Sequence, residues 1–554
     1  GRNGFYADEA SYFAIAQSLA HDGDLKYTRD DILRIRRDFP DGPQGIFLKK
    51  TPRGDLAFAK SYAYPLLGAP FVALWGKDGL LVCNALMLLA ILAMGLVWLG
   101  RFQPERQAFA TIFLFVFGTV MRLYTVWMTA DLFNAFCVWG GLFFFLFPFR
   151  RKAWFFFHVP FVALAIFSKL TPILIFLPLY GLLLLGRRWR AFLAGGVALM
   201  LCGVLLTGFL KLQTGSVNFQ GGERRTFYHH FPFETPQDTF ESGYRMSTDN
   251  YWDRFYLSPQ TAQHNLLYLL AGRHTGMMLY AFPAFLGLLL FLLRGPGRTR
   301  EEWALLLGGG AATLAFILLA PDNYFGGSGS LGNRYFLPIV PVLFFLGWFR
   351  PHTRQARYLL NGMMGASAGL LMLPLFLGNL PRPQPAQWAG FSPPFRFFPA
   401  EMTQINSLPT NENPAAWRRP LDQLDPPLWL YFTGDGQWAM EDSFFWTRGT
   451  GDSEVMLLST EPMPSLRVSV QAGPKAVSVR FCADGGVWQR DVLEPGASVV
   501  FEEKRPWGLK VDQNRFLYRF HVGGDRGFMP AWEQAGATDR RNLGVKVQVL
   551  REKS

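Results

Sequence analysis

Long apolar runs dominate the first 380 residues of the chain. Gly79 to Gly100 (GLLVCNALMLLAILAMGLVWLG) carries no charged side chain over 22 residues, and roughly 20 apolar residues cross the ~30 Å hydrocarbon core of a bilayer as a helix. The run before it, residues 61–76, contains two prolines and is predicted to be interfacial or a kinked lead-in to the first span. The pattern predicts ten spans, at about 79–100, 107–127, 132–149, 153–168, 172–186, 191–212, 276–293, 303–320, 335–349 and 358–380.

Basic residues separate these runs in a regular way. Short loops at residues 101–106, 150–152, 187–190, 294–302 and 350–357 hold fourteen basic and three acidic residues. They account for +11 of the formal net charge of +13, and such loops are typical of the cytoplasmic side of a membrane. The charge therefore needs no nucleic-acid partner to explain it.

Composition supports the same fold class. Only 17% of the residues are charged, against about 25% in an average soluble domain, which excludes a disordered or purely soluble chain. With the basic loops inside, the outward segments are residues 1–61, 213–275, 321–334 and 381–554. We predict a polytopic α-helical membrane domain over 62–380 that carries a first outward loop, 1–61, and a long outward loop, 213–275.

The pattern changes after Leu380. Eleven prolines between residues 381 and 427 predict a stiff, extended linker. Short β-rich runs separated by Gly, Pro and Asp follow over 428–554 and predict an extracytoplasmic β-sandwich. Its Trp488, Trp507 and Trp532 are either platforms for sugar rings or part of the packing at the core and rim.

Charged residues at the outward ends of apolar runs are the candidates for chemistry, because charge near hydrocarbon persists mainly where it pairs or acts. Acidic residues able to take a proton from a hydroxyl, near cations able to hold a phosphate, suit glycosyl transfer from a lipid phosphate. Each residue alone has another explanation: complementing a helix dipole, capping a helix, or snorkelling to the interface. The candidates are Asp8, Glu9, Asp131, Lys60, Lys169 and Arg334.

Several of these residues lie in short motifs. The Asp8-Glu9 helix, the segment YPLLGAPF, the outward Asp131 and the segment GNRYFLPIVP together resemble the GT-C superfamily of membrane glycosyltransferases. Protein O-mannosyltransferases and lipid A aminoarabinose transferases are the subfamilies that the motifs resemble most. The resemblance covers about residues 4–350.

The resemblance implies a sugar donor on polyprenyl phosphate, transfer with inversion, and Asp8 as general base with Glu9 beside it. Asp131 matches the second outward acidic residue of the superfamily, and Lys60 takes the place of a basic residue that contacts phosphate. Arg334 and Lys169 are further candidates for the donor phosphate. The superfamily also has a helix before the acidic loop, so we expect one more N-terminal span ahead of Gly1.

The sequence leaves open whether the protein needs a cofactor. A divalent cation held by Asp8 and Asp131 is one alternative. A metal in the 213–275 loop is another, although no spacing there matches a known zinc or calcium motif. The loop's candidate ligands are His229, His230, Glu234, Asp238, Glu241, Asp249, Asp253, His264 and His274.

The sequence thus predicts a membrane glycosyltransferase whose site faces the periplasm or exterior of a bacterial inner membrane. Its partners would be a polyprenyl-phosphate-linked sugar, membrane lipid and an acceptor glycan, lipid or protein that no motif names. One alternative is a non-catalytic membrane subunit that binds a partner through its outer β-domain. A transporter is a third possibility, less consistent with ionisable residues gathered at one face.

Overall fold

A computed structural model describes most of the chain. The described residues are 5, 7–219, 223–245, 259–293, 297–319, 321, 324–326, 332–347, 354–377, 397–404, 419–421, 428–432, 436–511, 515–534 and 536–550. Two compact units account for them: residues 1–254, 277–319 and 331–383 form the first, and 255–276, 320–330 and 384–554 the second.

Helices make up most of the first unit, and strands most of the second. In chain order the α-helices are α1 (Ala7–His21), α2 (Arg29–Asp38), α3 (Ala63–Trp75), α4 (Gly79–Leu99), α5 (Glu105–Phe117), α6 (Ala130–Leu146), α7 (His158–Ser168), α8 (Pro172–Leu185), α9 (Trp189–Thr214), α10 (Pro259–Ala271), α11 (Met277–Tyr280), α12 (Phe282–Leu293), α13 (Arg300–Leu319), α14 (Val340–Phe344), α15 (Arg354–Leu377) and α16 (Pro530–Glu533). The strands are β1 (Ile46–Lys50), β2 (Leu56–Phe58), β3 (Arg224–Phe227), β4 (Tyr244–Arg245), β5 (Arg419–Leu421), β6 (Leu428–Phe432), β7 (Phe444–Arg448), β8 (Asp452–Ser459), β9 (Ser465–Gln471), β10 (Val477–Ala483), β11 (Gln489–Leu493), β12 (Ser498–Lys504), β13 (Leu509–Lys510), β14 (Phe516–Gly524) and β15 (Leu543–Leu550).

Every predicted span contains helix, which confirms the helical, apolar character of the first unit. Among the described residues, three helical stretches are long and apolar enough to cross a membrane: Ala63–Leu99, which comprises α3 and α4, Trp189–Thr214 and Arg300–Leu319. Glu105–Phe117 and Val120–Val126, bent by 70°, make a fourth if they count as one span. Shorter apolar helices occupy five of the other predicted spans, so the total of ten stays a prediction.

The chain reverses between α3 and α4. Gly76 has φ +54°, a conformation that glycine adopts without steric cost, and the Tyr64 hydroxyl donates a hydrogen bond to Asn84 Oδ1 at 2.9 Å. Residues 64 and 84 would be about 30 Å apart along one straight helix. The run predicted to be interfacial or a kinked lead-in is therefore one arm of a helical hairpin.

Glycines allow α6 to approach its neighbours closely. A Cβ atom on Gly140 would lie 2.6 Å from the Phe161 ring of α7, and one on Gly141 would lie 2.7 Å from the Phe176 ring of α8. A larger residue would push these helices apart. This contact matters for the site, because α6 carries Asp131 in its first turn and α7 ends just before Lys169.

We expect Gly140→Ala to destabilise the first unit by about 1–3 kcal/mol, the usual cost of overpacking a filled core. Gly181→Ala in α8 is the matched control, since nothing lies within 4 Å of its added Cβ and alanine is the better helix former. Thermal unfolding of the purified protein in detergent measures both. Equal unfolding midpoints for the two variants would contradict the packing argument.

The C-terminal β-sandwich is confirmed. One antiparallel sheet has the strand order β11-β10-β14-β8-β6-β5, with β13 paired to β14, and the second has the order β12-β9-β15-β7. Their facing sides share one core, in which Phe481 of β10 stacks on Phe501 of β12 with ring centroids 5.5 Å apart. β5 belongs to the stretch predicted as a linker, most of which lies outside the described residues.

A buried carboxylate joins two segments of the second unit. Glu401 Oε1 accepts hydrogen bonds from the backbone N–H groups of His274 and Thr275, both at 2.8 Å, and from the Thr275 hydroxyl at 2.9 Å. Burial nevertheless outweighs these bonds and raises the pKa of Glu401 to about 7. The folded unit therefore holds a proton on Glu401 at pH values where the unfolded chain has lost it.

This raised pKa predicts that the stability of the second unit falls as pH rises. The favourable contribution is complete below the unfolded pKa of about 4.3 and is lost as pH rises through about 7, the folded pKa, because the folded state binds more protons in that interval. Thermal unfolding at pH 5.5 and pH 8 should show the loss in wild type but not in Glu401→Gln. Exposed Glu494→Gln should behave as wild type, and an unchanged pH dependence in Glu401→Gln would contradict the assignment.

Candidate active site: a chain of alternating charges

Five of the six predicted site residues form one continuous chain of opposite charges. Asp8 Oδ1 lies 2.6 Å from Lys60 Nζ, and Asp8 Oδ2 lies 3.1 Å from Arg334 Nη1. The same Arg334 nitrogen is 3.8 Å from Asp131 Oδ2, and Lys169 Nζ is 3.0 Å from Asp131 Oδ1. The order Lys60, Asp8, Arg334, Asp131, Lys169 thus has three cations and two carboxylates.

The fold brings these residues together from separate parts of the chain. Asp8 opens α1, Asp131 lies in the first turn of α6, and Lys169 directly follows α7. Lys60 lies between β2 and α3. Arg334 begins a 3-10 helix, Arg334–Ile339, whose N-cap Asn333 accepts a hydrogen bond from Phe336 N–H.

Glu9, the sixth predicted residue, is adjacent but turned differently. Its side chain is buried, and its Oε1 accepts a hydrogen bond from the Met128 backbone N–H at 3.3 Å. Met128 is three residues before Asp131 in the segment that leads into α6. Glu9 therefore attaches the start of α1 to that segment.

Burial makes the pairing within the chain strong. The side chains of Asp131 and Arg334 are only 5% and 14% exposed, and an ionised group in such surroundings persists only where it is paired. Burial alone would raise the pKa of Asp8, but Lys60 and Arg334 outweigh it and hold that pKa well below its usual range. Asp8 is therefore ionised and fully engaged by cations.

Helix capping and snorkelling, which could explain single residues, do not account for this arrangement. Asp131 is not the N-cap of α6, because Thr129 takes that position and donates its hydroxyl to Asp131 Oδ2 at 3.0 Å. Lys60, Lys169 and Arg334 point to carboxylates, which differs from isolated basic residues that snorkel to water. Arg334 Nε is buried and lacks a hydrogen-bond partner within the described part of the chain.

Aromatic rings around the cations were missed by the sequence analysis. Lys169 Nζ lies 4.1 Å from the centroid of Tyr335, and Lys60 Nζ lies 4.4 Å from the centroid of Phe47. Arg334 lies over Tyr335 and Trp127, at 5.4 and 5.9 Å. Tyr335 could have been found from the sequence, because it directly follows Arg334. Phe47 and Trp127 are not adjacent in sequence to the cations that they contact, so no local pattern connected them.

The described residues contain no group of three or more His, Cys, Asp or Glu side chains placed to hold a metal ion. Asp8 and Asp131, the predicted pair, are both engaged by Arg334. In the 213–275 loop, His230 Nδ1 is 3.4 Å from Asp238 Oδ1, while Asp249 and Asp253 lie outside the described residues.

The chain was compared with protein families, curated proteins and solved structures. No family model and no curated protein matches the chain. Among solved structures, ArnT from Cupriavidus metallidurans bound to undecaprenyl phosphate matches with a TM-score of 0.38 and 18% identity, over 69% of this chain and 63% of that one. Its apo state matches with a TM-score of 0.37 and 18% identity, over 66% and 60%.

Arabinosyltransferase EmbB from Mycobacterium smegmatis also matches, with a TM-score of 0.25 and 12% identity, over 98% of this chain and 62% of that one. The chain spans less than two thirds of the length of each of these three structures. All three TM-scores lie below 0.5.

The ion-pair chain predicts strong coupling between Asp131 and Lys169. Removing one member leaves the other charge buried and unpaired, so the Asp131→Asn and Lys169→Met single variants should each be strongly destabilised. The double variant should be destabilised by less than the sum of the two single effects. A double-mutant cycle from unfolding in detergent should give a coupling free energy of about 0.5–3 kcal/mol.

The exposed pair Lys475–Glu533, 2.7 Å apart, is the matched control for this cycle. Lys475→Met and Glu533→Gln should couple by about 1 kcal/mol or less, the range for exposed ion pairs. A coupling for Asp131 and Lys169 no larger than that of the control would show that the buried pair does not hold α6 and α7 in register.

Proposed function

We propose that the chain is an integral membrane glycosyltransferase that moves a sugar from a polyprenyl-phosphate donor to an acceptor on the outer face of the membrane. The observation that carries the proposal is the alternation of three cations with two carboxylates at the ends of apolar helices. Cations suit a departing phosphate, and a carboxylate suits an attacking hydroxyl. We further propose that the membrane is a bacterial inner membrane and that the site faces the periplasm.

An apolar groove supports a lipid-linked donor. A cavity of about 480 Å³ lies between α7, α8 and α9, lined by apolar residues that include Phe167, Leu199 and Met200. Phe167 is two residues before Lys169, and its ring lies 5.0 Å from that of Tyr62, two residues after Lys60. One end of the groove is thus formed by a residue two positions from Lys169 and packed against a residue two positions from Lys60, which supports a donor whose isoprenoid tail lies in the groove and whose phosphate meets these cations.

In the proposed reaction the acceptor hydroxyl attacks the anomeric carbon from the face opposite the phosphate. A carbon–oxygen bond forms to the acceptor as the bond to the phosphate oxygen breaks, which inverts the configuration. Asp8 takes the hydroxyl proton, with Glu9 holding the start of α1 in place. Arg334, Lys60 and Lys169 neutralise the charge that develops on the departing phosphate, and Asp131 orients Arg334 and Lys169.

The lowered pKa of Asp8 would make the strength of this base depend on whether the donor is bound. While Lys60 and Arg334 are paired with it, this carboxylate is a weak base. A donor phosphate competes for the same cations, so its arrival would weaken their hold on Asp8 and raise the pKa of that carboxyl toward the usual value. The base would then be available only when a donor is present.

The direct test is sugar transfer by the full-length protein in lipid, from a panel of radiolabelled polyprenyl-phosphate sugars. Asp8→Asn and Arg334→Ala should each lower the transfer rate about 10²- to 10³-fold, the usual cost of losing one pre-organised transition-state contact. Exposed Asp41→Asn and Arg37→Ala are the matched controls and should transfer at the wild-type rate. Transfer that survives Asp8→Asn would remove Asp8 from the role of base.

A binding measurement makes the test independent of the sugar. Undecaprenyl phosphate should stabilise the wild type by mass action, by about 2.7 kcal/mol of unfolding free energy at a hundredfold excess over Kd, and should therefore raise its unfolding midpoint. Arg334→Ala should lose this stabilisation. An unchanged midpoint in the wild type, together with no transfer from any donor, would favour the non-catalytic subunit.

A further inference from the structure

A second site is built into the outer β-sandwich. A cleft of about 850 Å³ opens on its β12-β9-β15-β7 sheet. In the floor of the cleft, Lys546 of β15 lies opposite Trp446 of β7 on one side and Gln471 of β9 on the other. Val547, next to Lys546, belongs to the sandwich core, and alternate residues of a strand face opposite ways, so this row faces away from the core.

The wall of the cleft holds fixed polar groups. Arg541 Nη2 is 2.7 Å from Asp539 Oδ2, and its Nη1 is 2.7 Å from Glu441 Oε1. The guanidinium also lies over the Trp438 ring, 5.7 Å from its centroid. Arg541 and Lys546 are the two cations of the cleft, and Asp539 and Glu441 are its two carboxylates, so the charges cancel. The cleft therefore offers hydrogen-bond donors and acceptors without a net charge.

Aromatic surface accompanies these polar groups. Trp446 is half-buried in the floor and packs edge-on against Phe528, with ring centroids 5.5 Å apart. Trp532 lies on α16 between Pro530 and Gln534, both of which line the cleft, and its side chain is 81% exposed. An exposed indole next to a polar cleft is unusual for a side chain that serves packing alone.

We infer that this cleft binds a neutral oligosaccharide. A sugar ring has an apolar C–H face that stacks on an indole and a rim of hydroxyls that both donate and accept hydrogen bonds. The volume of the cleft lies within the roughly 300–1,000 Å³ of typical ligand sites. Arg541 is already neutralised by two carboxylates, which disfavours an anionic ligand. The inference does not depend on the proposed transfer reaction, because every residue involved lies in the sandwich.

The test is titration of the full-length protein in lipid nanodiscs with cellohexaose, mannohexaose, arabinohexaose and galactotriose, followed by calorimetry. At least one saccharide should bind. Trp446→Ala and Asp539→Asn should each weaken that binding tenfold or more, and Trp446→Tyr should retain most of it. Trp488→Ala is the matched control, because Trp488 is 46% exposed but lies outside the cleft. Asp539 is partly exposed, so its variant keeps the test valid if Trp446→Ala does not fold.

The outcomes separate this site from the proposed active site. Asp8→Asn should bind saccharide as the wild type does, whatever its transfer rate. Binding that survives both Trp446→Ala and Asp539→Asn, or that Trp488→Ala abolishes equally, would overturn the inference. So would the absence of binding to all four saccharides.

Discussion

The first unit depends on the cost of holding ionised groups away from water. Asp8, Asp131 and Arg334 are largely buried among apolar helices. Each can remain charged there only because an oppositely charged side chain lies within ion-pair distance. The pairing therefore constrains the fold as much as the fold positions the pairs. A shift of any one contributing segment would leave a charge without its partner.

This constraint explains the close packing of α6. Asp131 and Lys169 come from α6 and the end of α7, and they meet only if these helices approach closely. Gly140 and Gly141 make that approach possible, because their hydrogens face the Phe161 and Phe176 rings at distances where a side chain would not fit. A feature within the apolar layer thus determines a distance between charges at its end.

Much of the fold could be predicted from the sequence because its signals are periodic or compositional. Apolar runs indicated the helices, and short alternating runs after residue 428 indicated the sandwich. The α3–α4 reversal at Gly76 and the small β2-β1-β3-β4 sheet were missed, since one depends on a single backbone angle and the other on pairing between residues far apart in the chain.

The site residues were likewise predictable from local sequence signals, whereas their contacts were not. Asp8, Asp131 and Arg334 were identifiable because a charged side chain beside an apolar run is costly and persists mainly where it pairs or acts. Which carboxylate contacts which cation depends on tertiary distances, and so do the rings of Phe47 and Trp127 beside Lys60 and Arg334. The cleft in the sandwich was equally hidden, since its row of Trp446, Lys546 and Gln471 follows from strand register alone.

Under the proposed function, the self-neutralised site has a consequence for the order of the steps. Without a donor, Asp8 is paired with Lys60 and Arg334 and is a weak base. These two cations would also hold the donor phosphate, so Asp8 would become a competent base only after the phosphate has drawn them away from it. The same two cations would thus bind the donor and limit deprotonation of the acceptor to the donor-bound state, which couples the two steps.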